Sequence, residues 1–446
     1  MTMTRAHLVT LALALLTAAP AFGQDRVTLT VDEAVRRGLE HAPRLAEVRA
    51  RTRAAGSTAE ARAALARPTV AVGAGILRTN HVDDFGILQP NGQFTVLFPD
   101  IPMNYRYRAE VGVPVYTAGR VGALVESARA DERATTAEGA VAAADVELEV
   151  VVSYWTLATG RERVRVLERA QARADVMVSD ATARVDAGLL PPSDRLAAQA
   201  QRARQRIALI HARNDAAVAE AQLARLTGLS PDVAIDLATP ADAVSVSVVA
   251  PGTSADVMVA RATAGRAERL ALRERQAAAH AAGEAAAAAT RPHVAAVAAV
   301  EPSRPNPRWV PRADRWHTSW DLGVNVTWSF WDGGRAQAER AAAVAQADAI
   351  EARIEDFDAA VGVEVRQRRL DVEAARMAIE AADEAVTAAA EARRVIGERF
   401  AVGVETSSEV LDSDLSLLEA EVERARLIGA LRISEARLVR ALGGRP

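Results

Sequence analysis

The chain has 446 residues, enough for two or three ordinary domains or one elongated one. Half of it is hydrophobic but only 4% is aromatic, so the apolar content is mostly Ala, Val and Leu, which suits long helices packed through narrow seams. A formal net charge of −4 argues against a nucleic-acid partner, and the absence of cysteine excludes disulfides, thiol catalysis, thiolate metal sites and a thiol-linked lipid anchor.

Residues 1–23 read as a signal peptide: Arg5 in a short n-region, an apolar run from Leu8 to Ala19, and small residues around "AFG" ending at Gly23. That run is too short to span a membrane, and no other window reaches the roughly 18 unbroken apolar residues of a transmembrane helix. A helical pattern then runs from Val31 to Ala66 and stops at Pro68. Thr69 to Arg78 alternates weakly as a strand. After a loop, "YRYRAEVGVPVY" places Tyr105, Tyr107, Ala109, Val111, Val113 and Val115 on one face and Arg106, Arg108 and Glu110 on the other. Period two over this length predicts a strand with one apolar face. From Ala118 to about Arg184 follows a helix of roughly 65 residues, or about 100 Å. It breaks in "RVDAGLLPPSDRLA" at Gly188, and a shorter helix returns from Ser193 to Leu226. Leu229 to Ser254 has the prolines and broken pattern of a connector.

The plan then repeats. Gly188 and Gly403 lie 215 residues apart (403 − 188), and the same offset relates "VPVYTAGR" to "WSFWDGGR" and "RLTG" to "RALG". The organisation is therefore a signal peptide over 1–23, a first repeat over 24–230, a connector over 231–253 and a second repeat over 254–446. In the second copy, Ser254 to Thr290 is helical, His293 to Val300 is the weakest strand, and Trp316, Trp320, Leu322, Val324, Val326, Trp328 and Phe330 alternate with polar residues.

Aromatic side chains mark these strands. Tyr105, Tyr107, Trp316 and Trp320 fall near one end, and Tyr116, Trp328, Phe330 and Trp331 near the other. A soluble sheet could hold them in its core, but aromatics at both ends of an apolar face form the pattern of membrane-interface girdles around a barrel. An exported chain without spanning helices crosses a bilayer only as such a barrel. Four strands cannot close one, so strands must come from several chains, and three copies supply twelve.

The signal peptide, the doubled halves with two strands each, the junctions "YTAGR" and "FWDGGR", and the hairpins "VDAGLLPPSD" and "AVGVETSSEVLD" together resemble the TolC-type outer-membrane efflux family. The resemblance implies an α+β membrane protein: a homotrimer whose long helices form a periplasmic α-barrel below a twelve-stranded β-barrel in outer-membrane lipid. It implies a passive duct rather than an enzyme, with no cofactor, fed by a periplasmic adaptor and an inner-membrane transporter of the RND or ABC type. The competing reading is an exported coiled-coil scaffold or adhesin with a soluble β cap.

Family positions carry over to particular residues. Acids just past the second hairpin turn narrow the periplasmic end, which implies a pore constriction at Glu409 and Asp412. They lie three apart, hence on one helix face, and three copies would stack two anionic rings. The alternative is that two acids early in a helix merely favour its N-terminal dipole. Gly188 and Gly403 suit the left-handed ends of long helices, and Ser193 with Ser407 or Ser408 suit the caps of the returning ones. The exposed tips Gly188, Leu189, Ser193, Gly403, Val404 and Ser408 are the implied adaptor-docking positions. One departure stands out: where the family pairs a tyrosine and an arginine with the acid of the first hairpin, this chain has Phe400, Glu405 and Asp194. Glu405 beside Asp194 repels, so the gate is expected to close by different contacts, and Glu405→Arg to lower conductance. The seven histidines contain no i, i+4 pair, no metal site is expected, and Tyr154 and Trp155 read as packing residues.

Overall fold

The computed structural model describes residues 26–239 and 253–445. The expected signal peptide at 1–23 and most of the expected connector lie outside these. In chain order the elements are β1 (Arg26–Leu29), α1 (Val31–His41), α2 (Pro43–Ala64), β2 (Thr69–Arg78), β3 (Phe85–Leu88), β4 (Phe94–Phe98) and β5 (Met103–Tyr116). Then come α3 (Arg120–Asp186), α4 (Pro192–Thr227), β6 (Ala234–Leu237), α5 (Ala255–Gly265), α6 (Ala267–Ala287), a 3-10 turn (Ala288–Thr290), β7 (His293–Arg304), β8 (His317–Thr327), α7 (Arg335–Ala401) and α8 (Ser407–Ala441).

The duplication is explicit in this list. α3 and α7 each have 67 residues, about 100 Å of helix, and α4 and α8 have 36 and 35. Each expected first helix is two helices. Pro43 pushes Ala42 into an extended conformation, which ends α1; Arg266 is extended between α5 and α6, its buried guanidinium bonded to the Ala441 carbonyl (2.9 Å) and Glu364 (2.6 Å).

The chain divides into two compact units. The first, in its described residues, comprises 26–46, 141–239, 253–266 and 359–445. It holds both hairpin turns and a small parallel pair, β1 with β6, in register Arg26↔Ala234 to Leu29↔Leu237. Tyr154, fully buried, donates its hydroxyl to the Leu29 carbonyl (3.1 Å) and accepts from Thr239 N (3.1 Å), fixing both strands to α3. Packing is thus what Tyr154 does. β6 falls inside the expected connector; four-residue strands pairing across 208 residues (234 − 26) leave no local periodicity to read.

The second unit, Glu47–Ala140 with Ala267–Asp358, holds a four-stranded antiparallel sheet in the order β2-β5-β7-β8 and a hairpin of β3 with β4 where a plain loop was expected. β7 runs to Arg304, past the expected Val300: its Ala and Val stretch hides alternation, and Glu301, Pro302 and Ser303 extend it by pairing with Ser319, Thr318 and His317 of β8. Trp316 precedes β8, and Trp328, Phe330 and Trp331 follow its last residue, Thr327.

Candidate functional site: the hairpin turns and the apolar sheet

The two turns of the first unit are built alike. Gly188 (φ 74°) and Gly403 (φ 78°) end their long helices in the left-handed region, and the next residue folds back: Leu189 N donates to the Arg184 carbonyl (2.8 Å) and Val404 N to the Arg399 carbonyl (2.9 Å). These bonds satisfy carbonyls that a helix end leaves free, and a side chain on the glycine would oppose the required φ. Leu189 and Val404 are left projecting, 74% and 63% exposed.

The helix starts after the turns differ from each other and from expectation. α4 has Pro191 at its N-cap with no side-chain cap; Ser193 instead donates to the Asp194 carboxylate (3.2 Å). α8 is capped by Thr406, not Ser407 or Ser408: Thr406 Oγ1 accepts from Glu409 N (3.3 Å) while the Glu409 carboxylate accepts from Thr406 N (3.4 Å). Ser408 is exposed. Ser407, freed from capping, is buried and donates to Asp194 Oδ2 (2.6 Å), joining the two hairpins.

The other residues expected at a gate, Asp194, Glu405 and Phe400, have these partners within one chain. Asp194 meets Ser407, and Glu405 meets Arg399 (2.8 Å) rather than Asp194. Phe400 is buried against Met177, Val178, Ala181, Ala198 and Val410, with the Arg184 guanidinium 4.5 Å from its ring centre and within 3.4 Å of its carbonyl. Further up, Asp414 is buried and receives Arg393 from α7, with Arg173 of α3 3.8 Å away; Arg173 also pairs with Glu421 (3.2 Å). This second inter-hairpin link was not anticipated, since its members come from three helices far apart in the chain.

Glu409 and Asp412 are both exposed, and Glu419, seven residues past Asp412, continues their face; that step of seven was the available signal for it. The carboxylates of Glu405 and Glu409 interact. A hydrogen bond with Glu409 and partial desolvation raise Glu405 above the ordinary glutamate value despite Arg399, whereas the same bond and the Thr406 amide lower Glu409.

In the second unit the sheet has two unlike faces. Val70, Val72, Ala74 and Ile76 of β2 stand in register with Val111, Ala109, Tyr107 and Tyr105 of β5; Val300, Ala298, Ala296 and Val294 of β7 stand in register with Trp320, Leu322, Val324 and Val326 of β8. This face is open: Val72 is 81% and Leu322 73% exposed. On the opposite face Arg108 joins Glu110 (2.9 Å), Glu301 (3.2 Å) and Asp321 (3.3 Å). Trp316 stacks on Tyr107 (5.5 Å between ring centres) and lies near Tyr105 (6.2 Å), with Trp320 further along β8. At the other end, where Tyr116 pairs with Val294, Trp328 bonds the Thr290 carbonyl (3.0 Å) and sits against Phe330 (6.3 Å), and Trp331 is exposed. β2 and β8 are edge strands with no partner on their outer sides among the described residues. No described helix is long and apolar enough to cross a membrane.

No curated protein matches the sequence. Solved structures share its fold: the outer-membrane channel OprN (21% identity, TM-score 0.76, covering 93% of this chain and 91% of that one), the outer membrane protein VceC from Vibrio cholerae (19%, 0.75, 93% and 96%), and the CmeC outer membrane channel from Campylobacter jejuni (14%, 0.77, 93% and 85%). The sequence profile described as outer membrane efflux protein matches twice, over residues 34–229 and 256–444, once per repeat. The chain belongs to the outer membrane efflux protein family.

Proposed function

We propose that three copies of this chain form the outer-membrane duct of a tripartite export system. The carrying observation is the sheet: one face apolar and open along Trp320, Leu322, Val324 and Val326 and the residues in register with them, and two edges unpaired among the described residues. An open sheet cannot enter a bilayer, because its edge N–H and C=O groups would lose their hydrogen bonds. Copies joined edge to edge remove the edges and give twelve strands. From Tyr107 to Tyr116 is nine steps, about 30 Å along the strand; at a tilt of about 40° this gives roughly 23 Å, close to the apolar band of such barrels. The aromatic groups at both ends are then the interface girdle, and the charged Arg108 cluster faces the lumen.

The long helices of the copies continue the duct into the periplasm, and the hairpin turns form its mouth. There Glu409 and Asp412 ring the constriction, and the Asp194–Ser407 bond and the Arg184–Phe400 contact hold each protomer's hairpins together. The exposed tips Leu189 and Val404, with Ser193 and Ser408 beside them, meet a periplasmic adaptor, which joins the duct to an inner-membrane RND or ABC-type transporter. Transport is passive, and with no cysteine in the sequence no thioether lipid is required to hold the protein at the membrane.

Membrane extraction tests the reading. The protein is expected to need detergent and to run as a heat-resistant species of three chains; a monomer soluble without detergent would favour the scaffold instead.

A further inference from the structure

The open face of the sheet carries two charged residues, and both lie at the same end. On β2 the face runs from Val70 to Arg78 and on β7 from Val294 to Arg304, with no other charge at the alternate positions of the four strands. Near the helices, which join the sheet at Thr69 and Thr327, the same face finishes in Val70, Val294 and Val326. The cations therefore mark the end away from the helices. Arg78 is exposed and has no ion-pair partner among the described residues.

Arg304 is held ready for a second acceptor. Its Nε and Nη2 donate to the two oxygens of Asp314 (2.7 and 2.8 Å), which fixes the guanidinium and leaves Nη1 without a hydrogen bond among the described residues. The guanidinium leans over the Tyr105 ring (5.9 Å to its centre), and Tyr105 belongs to β5, the strand that separates Arg304 from Arg78. Arg78 is in register with Met103 and Arg304 with Tyr105, so the two arginines stand two strand spacings apart, about 10 Å, on one surface. Side chains of arginine length converge from there onto a single phosphate. The segment after β7 turns the other way: Asn306 donates to Ser319 Oγ (3.2 Å), Trp309 stacks on His317 (4.4 Å) and Arg315 donates to His317 (2.9 Å), both residues being on the opposite face.

We propose that Arg78 and Arg304 clamp the phosphate of a lipid headgroup in the leaflet away from the helices, and that the lipid is one whose headgroup carries phosphate monoesters. The site rests on the reading of this face as the lipid-facing wall and deepens it by naming a lipid class. Met103, level with Arg78, is four residues beyond Tyr107, about 13 Å along the strand, which places Arg78 past the aromatic girdle at headgroup depth. An arginine fork matches two phosphate oxygens, and a monoester carries up to two negative charges where a zwitterionic headgroup offsets its single one. The acyl chains then lie along Ile76 and Ala74, which continue the face below Arg78.

Native mass spectrometry of the detergent-purified oligomer tests the site, with diphosphorylated lipid A, phosphatidylethanolamine and inorganic phosphate as probes. Lipid A is expected to bind at least roughly tenfold more tightly than phosphatidylethanolamine, and Arg78→Gln to weaken it by about tenfold. Arg78→Gln with Arg304→Gln should abolish the preference, Arg78→Lys should fall between, and Arg315→Gln, on the other face, should change nothing. Equal binding of both lipids, or an equal loss in Arg315→Gln, overturns the site. Displacement of lipid A by an equimolar amount of inorganic phosphate makes it a free-phosphate site and overturns the lipid assignment. A detergent-dependent trimer indifferent to these headgroups leaves the duct reading standing, whereas a monomer soluble without detergent overturns both.

Discussion

Glu147 is buried on α3 with one carboxylate oxygen that no donor reaches and Arg445 3.7 Å from the other. Burial raises its carboxyl above the ordinary glutamate value, and Arg445 only partly opposes this. A raised folded value means the folded chain binds this proton more tightly than the unfolded one. The charged form therefore costs stability at neutral pH, and the cost fades as pH falls through the folded value. Glu147→Gln is expected to raise Tm at pH 7, with the gain shrinking toward the ordinary glutamate range; a lowered Tm at pH 7 would contradict this. At the turn, Glu405 is also raised while Glu409 is lowered. As pH falls, Glu405 takes a proton first and the second turn loses negative charge before Glu409 titrates. Cation selectivity of the reconstituted duct should then decline in a step above the usual glutamate range, and Glu405→Gln should abolish that step while leaving the lower one. Ser407→Ala removes the hydroxyl that donates to Asp194 of the first hairpin, so open probability of the proposed duct should rise; an unchanged open probability would count against the Asp194–Ser407 link.

At the scale of elements, the apolar sheet face makes the sharpest demand. Leu322 lies mid-strand on β8 and is 73% exposed in one chain. If that face meets lipid, Leu322→Arg should cost about 2–4 kcal/mol of barrel stability, read as lower heat resistance of the oligomer, whereas a solvent-facing site would tolerate it. The elements that were legible in the sequence are those with long periods: the 67-residue helices, the alternation of β5 and β8, and the glycine turns. What was hidden has physical causes. β1 and β6 are too short to show a period, and β7 is small on both faces. Thr406, Ser407 and Ser408 are three possible caps in a row, and only the register of the helix selects Thr406 and releases Ser407 toward Asp194. The pairing of Arg173 and Arg393 around Asp414 depends on three helices meeting, which no local pattern records.

For the whole molecule, membership of the outer membrane efflux protein family and the twofold match along the chain agree with the internal repeat of 67-residue helices. The repeat explains why one chain brings two hairpin turns and four sheet strands; in the duct proposed above, neither mouth nor barrel is complete in one copy. The acids differ between the copies: only the second turn is followed by Glu409 and Asp412 on an exposed face. Conductance across a planar bilayer addresses the central claim most directly. Detergent-purified oligomer should insert and give stepwise, cation-selective currents, with selectivity reduced by Glu409→Gln together with Asp412→Asn. Protein that stays water-soluble and gives no current steps would contradict the account.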